Sequence, residues 1–346
     1  MRTPRQLGYR FPAEWEKHEA TWLSFPHNRE SFPGKIDAIF PSYYQFIKEL
    51  TRGEFVRINV TSEAMRRTAM AELEKINAPL DKIQFFHHPT NDAWCRDHGP
   101  AFVINPTAEN PKAIVNWGHN AWGGKYPPFD LDNEIPMRVA EAFRFPMFEP
   151  KIIMEGGSVD FNGDGALLTT TSCLLNKNRN PQLSRFQIEK LLCDYYNVEQ
   201  ILWLGEGIVG DDTDGHIDDI TRFVASDTVV TVVEHDKGDE NYQPLQDNLA
   251  LLKQMRLKKG KQLEIIELPM PDAVTYEGQR LPASYANFYI ANASVIVPTF
   301  NCKQDEIALE ILASCFKDRD VVGIDSTDII WGLGSFHCLS QQEPAV

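Results

Sequence analysis

Glu155-Gly156-Gly157-Ser158-Val159-Asp160-Phe161-Asn162-Gly163-Asp164-Gly165-Ala166-Leu167-Leu168-Thr169 is the stretch from which the fold can be read. Segments 158–161 and 166–169 are short, apolar and rich in strand formers. Between them lie Asn, Asp and two glycines, residues suited to the positive φ of a hairpin turn. A polar cluster, Glu155-Gly156-Gly157, stands just before the hairpin.

The same arrangement recurs in both directions along the chain. Segments 101–104 and 113–115 follow Arg96-Asp97-His98-Gly99, and 217–224 with 229–233 follow Asp214-Gly215-His216. Segments 287–290 and 295–297 follow Ala283-Ser284-Tyr285. Amphipathic helical spacing appears over 39–50, 62–75, 135–143, 184–195, 245–254 and 306–315. The hairpins return roughly every sixty residues, each followed by a helix, as expected of a repeated supersecondary unit. Ser335-Phe336-His337-Cys338 opens a fifth unit, which N-terminal sequence must complete. The expectation is a single α/β domain over 1–346, a closed pseudo-symmetric assembly with five polar stations around one axis. No Pro/Gly/Ser-rich linker divides it.

Composition narrows the function. The chain carries 49 acidic and 34 basic residues, a formal charge of −15. Such a surface repels nucleic acid and anionic membranes and suits a small cationic partner. Six cysteines without CxxC pairs read as reduced thiols. With no signal-peptide core after Met1-Arg2-Thr3-Pro4 and no apolar run of membrane-spanning length, the expected location is cytoplasmic. A homo-oligomer is compatible with all of this.

Cys338 lies between a small-residue turn and the polar Ser340-Gln341-Gln342, a setting expected to expose a tunable thiolate. His337 adjoins it, but neighbours on a strand face opposite ways. His216 is the stronger candidate base; in an extended segment it shares a face with Asp218 while Ile217 enters the core. Asp97 and Glu155 stand beside glycine-rich backbone, where an Arg96 pair or a solvated turn acid is the plain alternative. Metal ligation by His216 with Asp212 and Asp214 lacks a second histidine at helical spacing. Carboxylates around a thiol disfavour its ionisation unless a cation fills the site. A guanidinium fits, pairing bidentately with carboxylates and stacking on Trp94.

These motifs resemble those of agmatine deiminases and Porphyromonas-type peptidyl-arginine deiminases, within the guanidino-group modifying superfamily. The likeness runs through 12–23, Asn91-Asp92-Ala93-Trp94-Cys95-Arg96-Asp97-His98-Gly99-Pro100, Glu155-Gly156-Gly157-Ser158 and Asn176-Lys177-Asn178-Arg179-Asn180-Pro181. It continues in Thr213-Asp214-Gly215-His216-Ile217-Asp218, in 282–289 and in His337-Cys338 with Gln341-Gln342. The resemblance implies the five-bladed α/β propeller called the pentein fold. It also implies Cys338 as nucleophile, His216 as general acid/base, Asp97 and Asp218 as guanidinium clamps, and Glu155 assisting His216. Trp94 and Asn287 fall at pocket-lining positions. Leu333 departs from the family, which has glycine there; Cys95 and His98 occupy variable positions. The implied reaction is deimination of agmatine to N-carbamoylputrescine and ammonia, with no metal or other cofactor. Peptidyl- or free-arginine deimination is the alternative, and a metal-dependent hydrolase the distant one.

Overall fold

A computed structural model describes residues 2–346, apart from the side chain of Lys259; Met1 lies outside the described residues. Five sheets of three or four strands carry the fold, with a separate two-stranded hairpin. β1 (His18–Ser24), β2 (Phe55–Asn59) and β3 (Ile83–Phe86) belong to one sheet; β4 (Ala101–Ile104), β5 (Lys112–Val115) and β6 (Met147–Phe148) form the next. β7 (Val159–Phe161), β8 (Ala166–Thr170) and β9 (Gln200–Leu204) follow, then β10 (Thr221–Ala225), β11 (Thr228–Val233) and β12 (Glu264–Pro269). The small hairpin is β13 (Thr275–Tyr276) with β14 (Gln279–Arg280). β15 (Tyr289–Ile290), β16 (Ser294–Thr299) and β17 (Asp320–Asp325) precede the last strand, β18 (Ser340–Pro344).

One pairing pattern recurs in all five sheets. An antiparallel pair is extended by a parallel strand: β4–β5 by β6, β7–β8 by β9, β10–β11 by β12 and β15–β16 by β17. Helices Asp130–Phe143, Arg185–Tyr196, Tyr242–Gln254 and Gln304–Cys315 make the four crossovers, because parallel strands need a long connection. The fifth sheet joins the two ends of the chain. β18 pairs antiparallel with β1, and β2 and β3 add in parallel after helices Phe40–Leu50 and Glu63–Lys75. N-terminal sequence thus completes the fifth unit.

The hairpin strands are buried nearly throughout, which explains their continuous apolar runs: both faces are covered. Helix boundaries follow local chemistry. Ser184 and Gln187 form a reciprocal capping box at the start of Arg185–Tyr196. Helix Asp130–Phe143 begins five residues before the apolar periodicity at Ile135, and Asp130 and Asp132 occupy its first turn, where carboxylates meet the positive end of the helix dipole.

Segment 217–224 departs from expectation. Ile217–Asp219 is a 3₁₀ turn and the strand begins only at Thr221. Asp211 imposes the turn, its Oδ2 accepting the N–H groups of Gly215 and His216 at 3.0 Å each. Asp214 and Gly215 take positive φ values of 69° and 99°. Short helical turns also precede the other hairpins: Cys95–His98 before β4, Gly156–Ser158 before β7 and Tyr285–Asn287 before β15. Four of the five predicted polar stations sit on or beside such a turn; the fifth, at 335–338, lies in a non-helical turn just before β18 and not on a strand. No helix among the described residues is long and apolar enough to cross a membrane.

Candidate active site

The stations touch one another in sequence. The 95–98 turn packs against 156–158, that turn against 217–219, and 217–219 against 285–287. The His337 N–H donates to the Asn287 carbonyl at 3.2 Å, and the Arg96 N–H to the Cys338 carbonyl at 3.0 Å. Asp97, Glu155, His216, Asp218, Asn287 and Cys338 are therefore brought together from five separate units.

Cys338 is only 5% exposed, so the expected exposed thiolate is corrected to a buried thiol. Leu339 and Phe336 bury its flanks although the local sequence is polar. Burial, then the charges of Asp218, Asp219 and Asp97, push its pKa well above the ordinary thiol value, while a hydrogen bond from Asn287 pulls the other way. Asn287 Nδ2 lies 3.0 Å from the Cys338 sulfur and 2.9 Å from Asp219 Oδ1. Asn287 is thus placed under the nucleophile and not in the cavity wall predicted for it.

His216 is fully buried. Its Nδ1 is 3.7 Å from Asp97 Oδ1 and 4.0 Å from Asp218 Oδ1, and its Nε2 is 3.9 Å from Glu155 Oε2. Burial alone lowers its pKa, but Asp97, Cys173 and Glu155 together hold it well above the usual imidazole range. His216 and Asp218 do approach, across the 3₁₀ turn and not along an extended face; Ile217 enters the core as expected. A Cβ on Gly157 would stand 2.6 Å from His216 Nδ1 and 2.9 Å from Asp97 Oδ1, so only glycine leaves space for this junction.

The three carboxylates differ. Burial pushes Asp97 up to about 6 against the pull of His216; Trp122 Nε1–H donates to its Oδ2 at 2.9 Å and the Gly157 N–H to its Oδ1 at 3.0 Å. Burial also opposes the ionisation of Glu155, yet His216 and Arg179 bring it down to about 2. Its Oε1 accepts from Arg179 Nε at 2.6 Å. Glu155 is therefore not a solvated turn acid, and Asp97 is not paired with Arg96. Burial raises Asp218, but His337, then His216 and Arg222, more than offset it.

A cavity of about 280 Å³ opens onto Cys338. Trp94 and Trp122 are among its walls, and its acids are Glu30, Asp92, Asp97 and Asp212. None of the described lining residues is lysine or arginine. The Trp94 ring occupies space that a Cβ on Gly334 would need, at 2.6 Å. Leu333 lines the same cavity with φ 70° and ψ 21°, a left-handed conformation in which glycine is at ease.

Sequence reasoning passed over several groups here. Arg179 lay within the quoted 176–181 motif, and Glu14 within 12–23, without a role. Trp122 sits among Ala121, Gly123 and Gly124, all at positive φ like itself, and the paired glycines were its signal. Cys173 offered none; its sulfur, a Glu155 oxygen and a His216 nitrogen lie within 4.8 Å of one another. That donor set differs from the His216, Asp212 and Asp214 set considered for a metal. Asp214 instead accepts from Arg179 and Lys125, and Arg179 already supplies a cation to Glu155.

A family model for the Porphyromonas-type peptidyl-arginine deiminases matches residues 10–344, and the chain belongs to this family. The "Putative agmatine deiminase" of Legionella pneumophila (strain Paris) is 36% identical over 344 residues, covering 99% of this chain and 97% of that one. The solved agmatine deiminase of Enterococcus faecalis superposes with TM-score 0.93 at 33% identity, covering 99% and 98% of the two chains. A cysteine-to-serine variant of C. jejuni agmatine deiminase with substrate bound gives 0.87 at 32% identity, covering 97% and 96%. An amidinotransferase from Microseira wollei shares the mixed α/β fold alone, with TM-score 0.54 at 12% identity over 96% of each chain.

Proposed function

We propose that this protein is an agmatine deiminase, hydrolysing agmatine to N-carbamoylputrescine and ammonia through a covalent adduct on Cys338. The observation that carries the substrate is the cavity wall: four acids, with no cationic side chain among the described lining residues. Agmatine is cationic at both ends, and the charged groups it meets there are all carboxylates. Arginine and peptidyl-arginine bring a carboxylate or carbonyl at the far end, which that wall gives no cation to receive.

The empty site favours a Cys338 thiol beside a His216 imidazolium. Bound guanidinium supplies the positive charge that the carboxylates lack, with Asp97 and Asp218 as its partners and Trp94 on its face. It thereby lowers the cost of the thiolate, whose proton is released to solvent as the substrate binds. The thiolate attacks the guanidinium carbon, and His216 donates a proton to the nitrogen that leaves as ammonia. Water, deprotonated by His216, then adds to the amidino carbon, the C–S bond breaks, and the ureido product departs as Cys338 recovers its proton. Glu155, locked by Arg179, orients His216.

The overall form fits a five-bladed pentein propeller of one domain, each blade contributing a station to the axis. The recurring sheet pattern and the cycle of contacts among the stations support it. We place the protein in the cytoplasm, acting without metal or organic cofactor.

Mass spectrometry of protein incubated with agmatine should find an adduct on Cys338 that Cys338→Ala lacks. Turnover of agmatine should exceed that of arginine and of a C-terminal-arginine peptide; preference for the peptide overturns the substrate. If EDTA abolished activity while Cys338→Ser retained it, the metal-hydrolase reading would replace this one.

A further inference from the structure

His337, set aside as a base because strand neighbours diverge, occupies an unusual position. Its Nδ1 lies 2.6 Å from Asp218 Oδ2 and its Nε2 lies 2.8 Å from Glu14 Oε2. Both partners are carboxylates, which accept and do not donate when ionised, so only an imidazolium satisfies both at once. Glu14 is anchored in turn: its Oε1 accepts the Ile290 N–H at 2.8 Å, and its Oε2 faces Arg222 at 3.0 Å and Arg96 at 3.5 Å. Arg222 is itself held by Asp160 at 2.8 Å and by the Ala286 and Phe288 carbonyls.

On the other side, Asp218 Oδ2 is 3.7 Å from the Cys338 sulfur. Its Oδ1 has no hydrogen-bond partner although buried, and lies 4.0 Å from His216 Nδ1. One carboxylate oxygen is tied down and the other is free to accept from a guanidinium. The charged groups around the chain are therefore Arg96, Arg222, Asp160, His216 and Asp219, with His18 at the Glu14 carbonyl at 2.7 Å. Burial opposes ionisation of Glu14, but Arg222, His337 and Arg96 hold it well below the ordinary carboxylate range.

We propose that Glu14 is a positioning residue of the deimination site: it grips His337 as an imidazolium, and His337 fixes the orientation and charge of Asp218 beside Cys338. This rests on the deiminase reading above. Glu14→Gln keeps the side-chain length and can still accept one hydrogen bond, but it removes the charge that holds the imidazolium. A role confined to packing leaves His337 protonation untouched.

The test uses the full chain. In ¹⁵N-histidine NMR at pH 7, with His337 assigned by the signal lost in His337→Gln, the wild type should show both ring nitrogens protonated and Glu14→Gln only one. The kcat/KM for agmatine should fall about tenfold or more in Glu14→Gln. Glu14→Asp, which keeps a charge opposite Arg96 and Arg222, should restore the doubly protonated signal and part of the rate. A folded Glu14→Gln with wild-type kcat/KM and an unchanged His337 signal overturns the proposal. Where Glu14→Gln does not fold, Glu14→Asp decides: its shorter reach should lower kcat/KM about threefold or more, and a wild-type value overturns the proposal. Wild-type protein inert toward agmatine sinks the deiminase reading instead, while the NMR arm still judges the grip on His337.

Discussion

The side-chain amide of Asn287 holds Cys338 at two points: Nδ2 lies 3.0 Å from the sulfur, and Oδ1 accepts the Cys338 backbone N–H at 3.3 Å. The first contact is the neutral donor aimed at the thiolate, in surroundings otherwise dominated by carboxylates. Hydrogen bonds to charged groups contribute about 1.5–3 kcal/mol. Asn287→Ala should therefore lower kcat about 10- to 100-fold, and Asn287→Asp, which adds an anion to the Asp218–Asp219 cluster, should lower it further. Iodoacetamide alkylation of Cys338 across pH provides the check: both variants should react more slowly than wild type at any given pH below the thiol pKa.

Binding should depend on pH through Asp97. Its pKa in the empty site is about 6, above the ordinary 3.8. A raised value means that the empty folded site prefers the protonated carboxyl, and this preference is lost as pH rises through 6. A guanidinium reverses that preference. In Cys338→Ala, agmatine affinity should rise about tenfold between pH 5 and 7, about half of that factor by pH 6, and level off above about 7. Calorimetric titration measures this directly, and a flat profile would show that Asp97 does not receive the guanidinium.

Glu155 predicts the opposite sign for stability. Its value of about 2 lies below the ordinary 4.5, so its contribution is full above 4.5 and disappears as pH falls through 2. Removing the charge also takes from Arg179, whose side chain is fully buried, one of its two carboxylate partners and leaves it only Asp214. Breaking such a pair costs about 3–5 kcal/mol. Urea unfolding of Glu155→Gln at neutral pH should show a loss of that order, and activity should disappear with it.

Leu333, expected from the sequence to stand where the resembled family carries glycine, offers a further test. A left-handed conformation costs a non-glycine residue about 1–2 kcal/mol, whereas the leucine side chain gains from packing against the core near Trp331. These terms nearly offset, so Leu333→Gly should change stability by no more than about 1 kcal/mol. The wall it leaves is next to Cys338, so bulkier guanidines should gain in kcat/KM relative to agmatine.

The repeat and most of its helices were legible because turn residues and apolar periodicity act locally. The burial of Cys338 was not legible, since Leu339 and Phe336 cover it only after β18 finds β1. Likewise, Asp211 turns 217–219 into a 3₁₀ segment through hydrogen bonds that no periodicity announces. Asp97, Glu155, His216 and Cys338 were picked out by their polar, glycine-flanked surroundings, and the structure brings them together. Glu14, Arg179 and Trp122 escaped a role because each acts through a partner far away in sequence.

The β1–β18 seam has a kinetic meaning. Trp22 Nε1–H donates to Glu343 at 2.8 Å across 321 residues of chain, and this strand pair sits immediately after the nucleophile. Closing so distant a contact is among the slower steps available to a chain. Helices can form, and single hairpins can pair, before Cys338 has any place to stand. On refolding, catalytic competence should return after the far-ultraviolet circular dichroism has already recovered, so that turnover serves as a clock for the last event in assembly.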